Sequence, residues 1–296
     1  MFAQFFGAFL LNNKLVSPDT LAQAIDDKKN TRMRLGVLAI NAGLMTADQV
    51  EHVNVAQQSV DKRFGDLCVD LGYLTEADVD RLLSEQPTDY LLLGQTLVNN
   101  GSLTNAEFEQ AISAYKTHYQ LSDDDISNNQ NDKLSAIVKD FFHFNTAENA
   151  RIYTDYVTLL FKSFIRFIGD DFTPLEASMV SAAEAPYVVY QRIHGKYTAE
   201  LAIGCPKEEY IAFAERFAKE EFGDVDEYVN EVVGEFLNVN NGLFVVNESN
   251  QSGIELSLDP QDYEHDSKVS FKNQAFCIPV AFAFGEIDFY ISVTEG

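Results

Sequence analysis

The sequence predicts an α+β protein: N-terminal all-α helix-turn-helix repeats, then a domain of long helices packed on a mainly antiparallel sheet. Four glycines, Gly7, Gly36, Gly65 and Gly94, recur every 29 residues, and each opens the same pattern. Beyond residue 120 the apolar runs alternate between helical spacing and β-prone stretches. The acid is also uneven: residues 1–120 hold nine Lys+Arg against fifteen Asp+Glu, and residues 121–296 hold twelve against thirty-one. The chain is therefore divided into repeats over 1–120, a polar linker with a connecting helix over 121–150, and a mixed domain over 151–296.

In each repeat an apolar residue stands four after the glycine (Leu11, Ile40, Val69, Val98). A second glycine follows in three of them (Gly43, Gly72, Gly101), with Lys14 in the first, as expected of a short helix closed by a C-cap. A hydroxyl comes next (Ser17, Thr46, Thr75, Thr104), and Thr46 with Gln49 and Thr104 with Glu107 have capping-box spacing. A second helix then shows apolar residues mostly at i and i+4, so neighbouring units must stack to bury them.

These segments, best seen in RLGVLAINAGLMTADQVEHVNVAQ and RFGDLCVDLGYLTEADVDRLLSEQ, resemble the MshEN or GspE N-terminal domain of type II secretion and pilus ATPases. In some members paired motifs bind cyclic di-GMP. That resemblance implies Arg34, Gly36, Gly43, Gln57, Arg63, Gly65, Gly72 and Gln86 as ligand-contacting positions here. The sequence departs from the nucleotide-binding pattern in Phe5 and Leu92 at the arginine position, in Asn54, and in a five-residue spacer. A helical docking module is the plainer reading, and no GxxxxGK[ST] follows for an ATPase.

Residues 122–133, SDDDISNNQNDK, read as a solvated linker. LSAIVKDFFHF and RIYTDYVTLLFKSFIRFIG follow with helical spacing. APYVVYQRIHG and KYTAELAIG form an expected hairpin at His194-Gly195, and KEEYIAFAERFAKEEF an amphipathic helix. Residues 224 to about 246 read as helical again. GIELSLDP, AFCIPVAFAFG and EIDFYISV are expected strands, with a turn at Gly285-Glu286 and Pro279 marking an edge or bulge.

Chemistry concentrates in EVVGEFLNVNNG. Glu235 and Asn238 are i and i+3 on a helix, and Gly242 is four further on, so a carboxylate, a carboxamide and a bare patch share one face. Glu227 and Asn230 repeat the spacing, so Glu-x-x-Asn alone does not choose. The string resembles the CheC/CheX/FliY family of chemotaxis phosphatases, whose signature places a leading acidic or Ser residue, three residues, Glu, two residues, Asn, and about twenty-two residues before a Pro. The Glu235 register supplies Glu231 in the leading position and Pro260 after 21 residues, whereas the Glu227 register supplies Gly223 and 29 residues. The first long helix lacks the motif, so the resemblance is to a CheX-like domain with one site.

The resemblance implies hydrolysis of the aspartyl phosphate of a CheY-type receiver. Glu235 and Asn238 would be the catalytic pair, Glu231, Gly242 and Pro260 would meet the partner, and the receiver itself would supply Mg²⁺. A neutral amide can orient water through both oxygen and NH2 without adding charge beside the phosphoryl group. The competing class is a non-catalytic adaptor. In it the repeats dock a motility or secretion component or bind cyclic di-GMP, and the second half supplies homodimer formation or receiver binding only.

Composition narrows the rest. A formal charge of -25 argues against nucleic acid as a partner. Cys68, Cys205 and Cys277 have no metal-ligand spacing, the five histidines are dispersed, and no metal is expected. Asp123, Asp124 and Asp125 lack the glycine and distal Glu of a calcium loop. No apolar run is long enough to span a bilayer, and the expected location is the cytoplasm.

Overall fold

The computed structural model describes residues 2–84, 89–122 and 131–295. The chain forms two compact units, Phe2–Gln130 and Asn131–Gly296. Asp123 to Asp125, most of the polar linker, and Gln86 lie outside the described residues.

The first unit is helical: α1 (Phe2–Asn12), α2 (Pro18–Asp27), α3 (Leu35–Asn41), α4 (Ala47–Gln57), α5 (Phe64–Asp70), α6 (Glu76–Ser84), α7 (Asp89–Asn99) and α8 (Asn105–His118). Both capping boxes form: the Thr46 and Thr104 hydroxyls accept from the backbone N–H of Gln49 and Glu107, whose side chains accept from the Thr46 and Thr104 N–H. Gly43, Gly72 and Gly101 take left-handed backbone with φ of 64°, 73° and 77°, and Lys14 takes it too at 57°. The glycines at the motif starts answer a different need. A Cβ on Gly36 would lie 2.8 Å from Val50 Cγ1, one on Gly65 3.1 Å from Val79 Cγ1, and one on Gly94 2.2 Å from Phe108 Cε2. Each clash is with the residue fourteen positions on, so the bare patch on one helix is the seat for an apolar side chain of the next.

The second unit contains α9 (Asn131–Phe141), α10 (Ala150–Phe167), α11 (Lys207–Ala218) and α12 (Glu227–Ser252), with strands β1 (Phe172–Pro174), β2 (Ser178–Gly195), β3 (Tyr197–Cys205), β4 (Leu256–Leu258), β5 (Asp262–Phe282) and β6 (Gly285–Glu295). The antiparallel sheet runs β1-β5-β6-β3-β2-β4, and β5 pairs with β2 as well. Strands β2, β3, β6 and β5 therefore close on themselves, and Ala183, Val188, Ala202, Cys277 and Tyr290 fill the enclosure. On the helical side the Phe164 ring of α10 packs against those of Phe161, Phe172, Phe236, Phe282 and Phe289. All three cysteines are free and buried.

Several boundaries differ from the sequence expectation. The last hairpin turns at residues 283–284, with Phe282 paired to Gly285, rather than at Gly285-Glu286. Gly285 is needed for approach instead: its φ is 136°, and the Glu209 side chain occupies the space of a Cβ. Helix α12 overruns the expected end near residue 246 and stops at Gly253, whose left-handed φ of 64° closes it. Its start is fixed by Asp226, whose carboxylate accepts from the Val229 N–H at 2.9 Å. The first part of β5, DYEHDSKVSFKNQ, has too little apolar alternation to read as strand, yet it pairs along β2. Pro279 sits inside β5 where that strand changes neighbours, between Cys277 opposite β2 and Val280 opposite β1, and its carbonyl accepts from the Leu175 N–H at 2.9 Å.

Candidate functional site

Helix α12 can run for 26 residues because it is capped at both ends and contains no proline. Its buried side holds Val229, Val233, Phe236, Leu237 and Phe244 against the core, which turns Glu231, Glu235 and Leu243 outward and leaves Asn238 and Gly242 half-buried at the margin. The two Glu-x-x-Asn pairs therefore have different environments. Asn230 is buried, accepts from the Tyr210 hydroxyl at 3.0 Å and faces His265 Nε2 at 3.4 Å. Asn238 stands at the surface and donates from Nδ2 to Glu235 Oε2 at 3.2 Å.

Behind Asn238 lies a chain of amides that sequence reading missed. Gln191, on β2 and 2% exposed, donates from Nε2 to Asn238 Oδ1 at 3.0 Å and to the Asp259 carbonyl at 2.8 Å. Its Oε1 accepts from Asn241 Nδ2 at 2.7 Å, and Asn241 Oδ1 accepts from the Tyr156 hydroxyl at 2.7 Å. A signal existed in VVYQRIHG: Val189, Gln191 and Ile193 share one strand face, and Gln191 is the polar residue on it. A buried polar residue on an apolar strand face requires a partner.

The other expected site residues gather around this helix. Gly234 lets the segment after β4 approach, since a Cβ there would lie 2.9 Å from Gln261 Cγ. Pro260 is exposed on that segment, next to the carbonyl that anchors Gln191. Gly242 has no such packing duty: a Cβ would meet only Leu258 Cδ1, at 3.9 Å. Among the described residues no cluster of three or more His, Cys, Asp or Glu could hold a metal ion, and no helix is long and apolar enough to cross a membrane.

In the first unit, a pocket of about 300 Å³ collects Arg34, Gly36 and Gln57 with Asn54, Gln95 and Phe64. Gly43, Arg63, Gly65 and Gly72 do not line it, and Arg63 is held by both oxygens of Asp66 at 2.9 Å.

No family model matches the chain, and no curated protein matches it. Solved structures similar to it include CheC- and CheX-like chemotaxis proteins that cover about half of it. A CheC-like superfamily protein from Shewanella sp. PV-4 is 15% identical with a TM-score of 0.44, over 49% of this chain and 99% of its own. The chemotaxis protein CheX from Desulfovibrio desulfuricans is 17% identical with a TM-score of 0.43, over 49% and 99%. A chain of the CheX–CheY–BeF3–Mg²⁺ complex from Borrelia burgdorferi is 18% identical with a TM-score of 0.39, over 48% and 96%. Likeness at this level does not decide the chemistry, which rests on the side chains.

Proposed function

We propose that residues 131–296 hydrolyse the aspartyl phosphate of a CheY-type receiver in chemotaxis or two-component signalling. The observation that carries this reading is the Asn238 carboxamide, fixed at the helix surface between Glu235 and Gln191. With one N–H given to Glu235 and one lone pair taken by Gln191, Asn238 keeps one donor and one acceptor for a water molecule. A water so held can be aimed in line at phosphorus, and positioning of this kind supplies much of the catalysis in phosphoryl transfer. Glu235 has acceptor capacity beyond Asn238 and serves to grip the receiver's lysine by a charge-assisted hydrogen bond. Any metal at the phosphoryl group belongs to the receiver. The acidic balance of this half suits a partner face that presents lysine and a cation.

Gly242 supports close docking. A glycine within a helix costs about 0.5–1 kcal/mol relative to alanine, and a Cβ on half-buried Gly242 would make only one ordinary contact, with Leu258 Cδ1. Gly242→Leu is expected to leave the unfolding midpoint unchanged or slightly raised while abolishing phosphate release from a phosphorylated receiver. Full release by the variant would remove the docking role.

A second reading is favoured by the pocket at Arg34. There the first unit would bind cyclic di-GMP, with Arg34, Gly36 and Gln57 at the ligand, while the second unit acts as an adaptor. Calorimetry with cyclic di-GMP checks it: binding lost in Arg34→Ala and kept in Arg63→Ala is the expected outcome. No binding by the wild type would end that reading.

A further inference from the structure

We propose that Gln191 is a positioning residue for Asn238, acting through a buried amide chain that holds the Asn238 carboxamide in one of its two flips. The inference rests on the role given to Asn238 above, and its argument is one of hydrogen-bond polarity. The Asp259 carbonyl can only accept, so the NH2 of Gln191 must face it, 2.8 Å away. The same NH2 then presents its second N–H to Asn238 at 3.0 Å, which requires Asn238 to offer oxygen there. On the opposite side the Glu235 carboxylate accepts at 3.2 Å, which requires Asn238 to offer NH2. Reversing Asn238 would set NH2 against NH2 and oxygen against carboxylate, losing both bonds. Gln191 is itself pinned from behind, since its Oε1 takes the Asn241 N–H and Asn241 takes the Tyr156 O–H. Gln191, Asn241 and Tyr156 are 2%, 0% and 3% exposed, so water has little access to substitute for any link.

The consequence is mechanistic. A carboxamide free to rotate would present donor and acceptor interchangeably to the attacking water and would align it for only part of the time. A locked one presents a single pattern before the partner arrives. Gln191 is 2% exposed and stands behind Asn238, so its effect falls on turnover rather than on docking.

Two variants test this. Gln191→Met keeps the length of the side chain and removes its polarity. Gln191→Glu keeps the acceptor for Asn241 and replaces the NH2 that donates to Asn238 and to the Asp259 carbonyl, so it remains informative if loss of the Asn241 contact unfolds the methionine variant. Each is expected to lower kcat for phosphate release about tenfold to 100-fold, with KM and binding of a receiver carrying a stable phosphate mimic unchanged within about twofold. Side-chain ¹⁵N relaxation of the Asn238 amide should show it ordered in the wild type and mobile in both variants. An equally ordered amide in the variants, or an unchanged kcat, would overturn the positioning role. If the wild type releases no phosphate from any receiver, the catalytic reading falls, and the relaxation measurement alone decides the positioning.

Discussion

Arg151→Ala should destabilise the unit of residues 131–296 by about 2–4 kcal/mol, lowering its midpoint by roughly 5–10 °C. Glu248 lies on the buried side of α12 with its side chain 3% exposed, and Arg151 of α10 bonds both of its oxygens, at 2.7 and 2.9 Å. The Tyr197 hydroxyl of β3 donates to the same carboxylate at 2.9 Å. Removing Arg151 strands a buried charge that tyrosine alone does not neutralise. The arginine side chain is itself 49% exposed, which holds the effect below that of a wholly buried pair. Arg151→Lys should cost less than Arg151→Ala but more than nothing, because a point charge cannot span both oxygens. Urea or thermal unfolding of the full chain checks both.

The same pair sets a pH dependence. The hydrogen bonds from Arg151, joined by that from Tyr197, hold the Glu248 carboxyl below the usual glutamate range against the opposing effect of burial. Its contribution is complete above the ordinary glutamate value of about 4.3 and is lost as pH falls through the lower folded value. Asp155, also on Arg151, moves the other way, raised chiefly by burial, and so disfavours the fold as pH rises through its range. Stability in Arg151→Ala should fall less steeply with acid than in the wild type. An equally steep acid limb would show that Glu248 is not its source.

Much of the second unit was legible because its elements carry strong local signals. Apolar residues at helical spacing announced α10 and α11, and the β-prone runs around His194-Gly195 announced the paired strands. What was not legible depends on partners far away in sequence. DYEHDSKVSFKNQ becomes strand because β2 offers a ladder, not because its own residues alternate. Helix α12 extends to Ser252 because Glu248 has its ion pair and Gly253 its left-handed cap. The candidate site divides in the same way. Glu235 and Asn238 announce themselves by spacing on one helix, while Gln191 and Tyr156 stand 47 and 82 residues before Asn238 and join it only through the fold. The two Glu-x-x-Asn pairs share one spacing, and only the flanking Glu231 and Pro260 favour the second in sequence. Burial separates them as well, since Asn230 spends its oxygen on Tyr210 inside the core while Asn238 keeps hydrogen-bonding capacity nearer the surface.

The second large effect concerns Asn238 itself. Replacing it by alanine removes the group that would hold the attacking water and leaves the helix unbroken, since alanine is a good helix former. Loss of one fixed donor of this kind lowers turnover about 100-fold to 1,000-fold. Asn238→Asp should fail comparably, because it exchanges the NH2 for a second acceptor and sets two carboxylates together beside the phosphoryl group. Neither change should weaken docking, which the proposed function assigns to Glu235, Gly242 and the segment around Pro260.

The most direct test is single-turnover phosphate loss from a phosphorylated receiver of the same cell, mixed with wild type or Asn238→Ala, with receiver binding measured in parallel. The account predicts that the wild type accelerates loss well above the spontaneous rate and that Asn238→Ala forfeits about 100-fold or more of that acceleration while binding the receiver as before. Equal rates for the two proteins, whether both at background or both accelerated, would contradict it.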